Sequence, residues 1–261
     1  MFRVDVFFEG SERIMRRPAG LLLAQAGLDA STSQPFTLLD HACGTGLIAA
    51  HLQATLDKQV LSQSKMTCAD ISVGFVEALK RRVSAHGWVN VETSILDAQK
   101  TDLSDLSFLH VTMNFAMHLI PDPGAALQDI ARVLQPGGTF AFTTLPFEAP
   151  MPNPLPMAPN GKSEFIDPDL ISEQLRRYGF EGVKVQTMEH IMRIENAEDF
   201  LRSFGMMKDW MLEAFWSEES KAKVKGMLGD HILRHLTEKH NGQGWDLTWT
   251  FIVATCQKPR N

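Results

Sequence analysis

Cysteine is scarce in this chain: three in 261 residues, Cys43, Cys68 and Cys256, scattered and odd in number. That usage excludes a disulfide framework and points to a reduced, intracellular compartment. Positive charge is also short. Lysine and arginine number 25 against 31 acids, a net charge of −6, and no basic run or interleaving of basic with aromatic residues suggests a nucleic-acid groove. No apolar run is long enough to span a bilayer, and the opening Met1-Phe2-Arg3-Val4-Asp5 sets acids beside its few apolar residues instead of a signal-peptide core. There is no internal repeat. The expectation is a cytoplasmic protein with neither nucleic acid nor membrane as partner, its length suiting one domain with an elaboration.

A glycine is missing where one common ligand loop requires it. Phe36-Thr37-Leu38-Leu39-Asp40-His41-Ala42-Cys43-Gly44-Thr45-Gly46 reads as a short strand buried on both faces and ending in an acid, then a loop of small residues. Leu47, Ile48, Leu52 and Leu56 then recur at helical spacing. A strand that enters a helix through small residues leaves N–H groups bare at the helix N-terminus, an anchoring place for a small anion. In the dinucleotide pattern Gly-x-Gly-x-x-Gly, with Ala42 and Gly44 as the first two small positions, the third falls on Leu47. The failure argues against a nicotinamide oxidoreductase. What stands is an acid, one residue, then small-x-Gly-x-Gly.

Residues 11 to 27, with Ile14, Leu21, Leu22, Leu23 and Ala26 interrupted by Pro18, predict a helix pair leading into that strand. Downstream, Lys65 to Asp70 forms a second strand ending in an acid. In a doubly wound sheet the ends of adjacent parallel strands meet at the ligand crevice, where Asp70 can accept both hydroxyls of a ribose; alternatively it caps the helix of Phe75, Val76 and Leu79. Gly87 ends that helix and the run that begins at Val91 is a third strand. Asp97 stands just past it, as acceptor for an exocyclic adenine amine with Ala98 leaving room for the ring, or as a solvated loop acid. Phe108 to Asn114 is a fourth strand, then Phe115 to Asp122, a helix from Pro123 to Leu134, a sharp turn at Gln135-Pro136-Gly137-Gly138, and a fifth strand from Thr139 to Thr144.

From Leu38 to Thr144 this succession resembles a class I S-adenosylmethionine-dependent methyltransferase of the UbiE-like group. More narrowly, Leu39-Asp40-His41-Ala42-Cys43-Gly44-Thr45-Gly46, Cys68-Ala69-Asp70-Ile71-Ser72, Lys80-Arg81-Arg82 and Gly87-Trp88-Val89-Asn90-Val91-Glu92-Thr93 are similar to fungal secondary-metabolism methyltransferases, including the gliotoxin thiol methyltransferase type. The resemblance implies an α/β, Rossmann-like fold: a mostly parallel seven-stranded sheet with helices on both faces and a helical insertion between the last two strands. It implies S-adenosyl-L-methionine as cofactor and S-adenosyl-L-homocysteine as product. Asp40 with Ala42, Gly44 and Gly46 would hold the methionine end, Asp70 the ribose, and Asp97 with Ala98 the adenine; Ile71, Asn114 and Phe115 complete the implied cofactor contacts. Ala42 replaces the family's first glycine, a change that should leave binding intact. His118 lies in the loop after the fourth strand, where the family places acceptor-side residues. It is the catalytic candidate, to deprotonate or orient a thiol, hydroxyl or amine, against a surface loop histidine.

The implied layout is one methyltransferase domain: an N-terminal helical cover (1–35), the cofactor core (36–145), a lid loop, helix and sixth strand (146–194), a helical substrate-side insertion (195–244) and the last strand (245–261). The proline-dense stretch from Pro146 to Pro159 must run extended, as substrate lid, stiff connector or ligand of a proline-binding module. Asp167 caps the next helix, with Pro168 in its first turn and Gly179 at its end. Strands follow from Val183 to Ile191 and from Asp246 to Cys256, and the residues between predict helices over 197–211 and 217–240. Phe200, Phe204, Met206, Met207, Trp210, Met211, Phe215 and Trp216 there suit the wall of a hydrophobic pocket or simply helix packing. His231 and His235 are one helical turn apart, but Ile232 replaces the glutamate of a metalloprotease motif and no third ligand is evident, so no metal is expected. The expected reaction is in-line methyl transfer to a small, largely hydrophobic natural product through sulfur, oxygen or nitrogen. The alternative is a methyltransferase-fold protein that binds the cofactor without methylating, as a cyclisation catalyst or regulatory partner. Holding acceptor and methyl in line supplies most of the rate, and only a poor nucleophile such as an alcohol needs a strong base.

Overall fold

The computed structural model describes residues 4–146, 163–224 and 226–260. The proline-dense lid candidate therefore lies almost wholly outside the described residues. The chain opens with helix α1 (Val4–Gln25), one continuous helix and not a pair, with Pro18 inside it. A proline removes one backbone donor and crowds the preceding turn. Here Pro18, Ala19, Leu22 and Leu23 are all buried, and packing of that face outweighs the local penalty.

Strand β1 (Thr37–His41) is followed by α2 (Leu47–Thr55) and by a short α3 (Lys58–Gln63) that the apolar periodicity does not announce. Asp57 caps α3 by accepting from the Gln59 N–H at 2.7 Å. Then come β2 (Lys65–Asp70), α4 (Val73–His86), β3 (Val91–Ile95), β4 (Phe108–Asn114), α5 (Pro123–Val133), β5 (Leu134–Thr144), α6 (Pro168–Arg177) and β6 (Glu181–Ile194). Helices α7 (Ala197–Phe215), α8 (Glu218–Val224) and α9 (Leu228–Lys239) lead to β7 (Trp245–Gln257). The predicted helix over 217–240 is thus two; Gly226 takes the left-handed conformation, φ 80°, which breaks it.

The strands form one seven-stranded sheet in the order β3-β2-β1-β4-β5-β7-β6. β1, β2, β3, β4 and β5 run parallel and β7 pairs antiparallel with β5. The Pro-Gly-Gly turn is absorbed into β5: Leu134 pairs with Phe108 and Thr139 with His110, so the turn residues bulge from the ladder. Leu38 and Leu39 are both inaccessible to solvent, the expected mark of a strand covered on both faces.

The described residues divide into two compact units, 4–15 with 189–249, and 16–146 with 163–188 and 250–260. The larger unit has its core where Val111, Met113, Phe140, Phe142 and Ile252 of the sheet meet Leu127 and Ile130 of α5 and Ile171 and Leu175 of α6. The smaller packs Ile14, Met192 and Ile194 with Phe200, Phe204, Trp245 and Trp249. Phe200 and Phe204 stack at 4.7 Å, a packing role for two of the candidate pocket residues, and Arg13 pairs with the buried Asp199. Trp216 is exposed. Among the described residues no helix is long and apolar enough to cross a membrane.

Candidate active site

The parallel strands fan outward from β1 in one direction through β2 to β3 and from β4 in the other through β5. The crevice at the carboxyl ends of β1 and β4 is therefore the switch point at which open α/β sheets bind ligands. Asp40 stands near the end of β1, buried, with the Thr112 hydroxyl of β4 donating to its Oδ1 at 2.7 Å. Burial pushes its carboxyl up to about 7, the Thr112 hydrogen bond opposing and the charge of Asp70 adding to the shift.

The loop that follows is built from left-handed residues: Ala42 at φ 46°, Gly44 at 53° and Gly46 at 81°. Gly46 opens α2, and a Cβ there would lie 2.4 Å from Leu79 Cδ1 of α4, so glycine is required twice over, by conformation and by space. Asp70 ties the loop to β2. Its Oδ2 accepts from the Gly44 N–H at 2.9 Å and its Oδ1 from the Ser72 N–H at 2.8 Å. The cap of α4 is Ser72, whose hydroxyl oxygen accepts from the Phe75 N–H, so the helix-cap reading of Asp70 passes to its neighbour. A carboxylate offers about four lone-pair sites, which leaves Asp70 two for a ligand diol. Ile71, next in the chain, is 67% exposed.

Asp97 follows β3 and is held by Gln99. The Gln99 N–H and side-chain amide donate to Oδ1, both at 2.9 Å, and the amide also reaches Oδ2 at 3.0 Å. These bonds hold the Asp97 carboxyl below the usual carboxylate range. The Gln99 side-chain oxygen Oε1 in turn accepts from the Asp122 N–H at 2.9 Å, which links the loops after β3 and β4. Ala98 is buried among the core side chains. At the end of β4, Asn114 Oδ1 accepts from the Thr143 hydroxyl at 2.7 Å, and Thr143 Oγ1 accepts from the Phe115 N–H at 2.9 Å. Phe115 has φ 54°, a strained conformation for a bulky residue.

His118 is neither a loop nor a surface residue: it sits in a single 3-10 turn, Met117–Leu119, and is 4% exposed. Its Nδ1 is 3.0 Å from the Thr144 hydroxyl, which donates to the Phe165 carbonyl at 2.8 Å. Burial pushes its imidazole down to about 4, so it is neutral at physiological pH. His41, at the end of β1, is buried without a hydrogen-bond partner for either ring nitrogen among the described residues, and burial pushes it too down to about 4. His41, Gln99, Thr112, Thr143 and Thr144 carry no motif that marks them in the sequence. The threonines are legible in hindsight as polar residues at the ends of apolar strands.

A family model described as a methyltransferase domain matches residues 38–138. Across 92% of its length the chain is 31% identical to the methyltransferase tpcH of Aspergillus fumigatus, spanning 91% of that protein. The chain belongs to the methyltransferase family. The methyltransferase is also 27% identical to acetylaranotin bis-thiomethyltransferase of Aspergillus terreus, over 92% of this chain and 89% of that one. A solved phosphoethanolamine N-methyltransferase 2 of Haemonchus contortus, bound to S-adenosyl-L-methionine, shares the fold at a TM-score of 0.58 and 15% identity, covering 93% of this chain and 52% of its own. Fold and family make this chain a class I enzyme whose cofactor is S-adenosyl-L-methionine. Its residues fit that group: a buried carboxylate with free lone pairs at the end of β2, an exposed apolar side chain beside it, and a second buried acid at the end of β1.

Proposed function

We propose that this methyltransferase methylates a small, largely hydrophobic natural product of fungal secondary metabolism, at a thiol, phenol or amine. The observation that carries the acceptor class is His118, buried and neutral at the carboxyl end of β4. Burial makes it a weak base, a poor match to an aliphatic alcohol but sufficient for a thiol, which ionises near neutrality by itself, for an amine, which attacks through its own lone pair, or for the more acidic hydroxyl of a phenol. The likeness to a fungal bis-thiomethyltransferase favours sulfur.

Bound S-adenosyl-L-methionine supplies an electrophilic methyl on a sulfonium, already a good leaving group. The chain's part is then to bind, orient and exclude water. Asp70 accepts the ribose hydroxyls on its remaining lone pairs, and Ile71 gives the adenine an apolar face. Asp97 accepts the adenine amine on the Oδ2 site that Gln99 leaves open, with the backbone at Ala98 beside it. Asp40 faces the methionine ammonium across the small-residue loop of Ala42, Gly44 and Gly46, and the backbone at Asn114 and Phe115 closes the crevice. His118 orients the acceptor and receives its proton.

Calorimetric titration with S-adenosyl-L-methionine, with NAD in parallel, tests the cofactor residues. Saturable binding is expected for the wild type, none for NAD, and a loss of about 100-fold or more in Asp70→Ala. Thiol, phenol and amine acceptors are then screened for S-adenosyl-L-homocysteine release. Cofactor binding with no release from any class would overturn the proposal in favour of a non-methylating role.

A further inference from the structure

His118 makes a hydrogen bond whose direction can be deduced. The Thr144 side chain has one hydroxyl proton, and that proton points at the Phe165 backbone carbonyl, which can only accept. At the His118 contact the hydroxyl oxygen must therefore accept, and Nδ1 must donate. All three residues are buried, so no bulk solvent competes for the arrangement. A neutral imidazole carries one ring proton. With that proton on Nδ1, Nε2 has a bare lone pair.

We infer that Thr144 is a positioning residue for methyl transfer: it holds His118 as the Nδ1–H tautomer and so makes Nε2 the acceptor-side hydrogen-bond acceptor. The inference rests on the acceptor-side role proposed for His118 and adds the residue that sets its chemistry. In each turnover the acceptor's X–H bond breaks as the X–CH3 bond forms, and the donor's S–CH3 bond breaks with its electron pair remaining on sulfur. The one proton released is what Nε2 receives and passes to water. The opposite tautomer would present an N–H to the acceptor, which can neither take that proton nor attract it.

Three consequences separate this role from mere packing. In 15N NMR of histidine-labelled wild-type protein at pH 7.5, with the His118 signals identified by their loss in His118→Gln, Nδ1 should carry the proton and Nε2 should resonate as the unprotonated nitrogen. Thr144→Val, isosteric but without a hydroxyl, should lose that tautomer preference and lower kcat by about tenfold or more, with S-adenosyl-L-methionine affinity within about twofold of wild type. Thr144→Ser restores the hydroxyl and should recover both the signal and the rate. A wild-type His118 protonated on Nε2 overturns the inference without needing any variant to fold, as does a Thr144→Val enzyme with the wild-type tautomer and turnover. Undiminished turnover in His118→Gln overturns the acceptor-side role itself. The tautomer spectrum does not depend on turnover, so the two failures are distinguishable.

Discussion

Asp40 is the residue whose charge cofactor binding is expected to change. Its carboxyl stands at about 7 in the unliganded chain, so near neutrality it is a mixture of acid and carboxylate. A cationic group placed beside it favours the carboxylate, and binding then expels a proton. S-adenosyl-L-methionine carries two such groups, an ammonium and a sulfonium. Its affinity should therefore rise up to about tenfold per unit as pH climbs towards 7, and level off above. Calorimetry at pH 6 and 8, in buffers of different ionisation enthalpy, reads the affinity and the released proton together; Asp40→Asn should bind more weakly and with a flat profile. An identical wild-type affinity at both values would count against Asp40 as the cation's partner. The place of this acid is legible in the sequence, at the end of an apolar run. Its protonation is not, because that depends on complete burial and on Thr112, which lies 72 positions away in the chain.

At the scale of elements, the loop between β1 and α2 combines backbone conformation with close approach. Gly46→Ala must place a methyl 2.4 Å from Leu79 while holding φ at 81°. The strain and the displaced leucine together should cost about 2–4 kcal/mol, read as a lowered urea midpoint, and weaken cofactor binding by moving the loop. Gly27→Ala is the control. Its φ is 77° but nothing among the described residues lies within 4 Å of the added carbon, so it should cost about 1 kcal/mol and leave binding alone. Glycine spacing announces this loop in the sequence, whereas the neighbour that makes Gly46 irreplaceable is on another helix. The same division holds for α1: Pro18 predicts a break, and the buried face of Ala19, Leu22 and Leu23 keeps the helix whole.

Across the whole molecule, buried histidines set the response to acid. Burial lowers His41, His110 and His118 to about 4 each from an ordinary value of 6.5. The unfolded chain protonates these rings as pH falls through 6.5, and the folded chain resists until about 4. The stability they contribute is thus fully present above 6.5 and is lost as pH falls towards 4. Asp40 acts oppositely, because the folded state holds its proton up to about 7 while the unfolded chain releases it near 3.8. Between 4 and 6.5 three histidines outweigh one acid, and unfolding takes up about two protons. The urea midpoint should rise with pH from 5 to 7, and a flat or falling profile would show that these rings are not neutral in the folded state. His41→Leu, which removes a buried ring with no hydrogen-bond partner among the described residues, should flatten the slope by about one proton.

The sequence by itself determined the family, the strand–loop–helix order, the acids at the ends of β1 and β2 and the small-residue loop between them. These are local patterns, in which apolar periodicity, caps and glycine spacing act within a few residues. Only the tertiary structure decided that Ser72 is the cap and Asp70 the loop's anchor, that Gln99 holds Asp97, and that Thr144 and Phe165 orient His118. Hydrogen-bond direction, burial and protonation belong to groups brought together from distant parts of the chain. Thr144 lies 26 positions from His118, and no local pattern connects them.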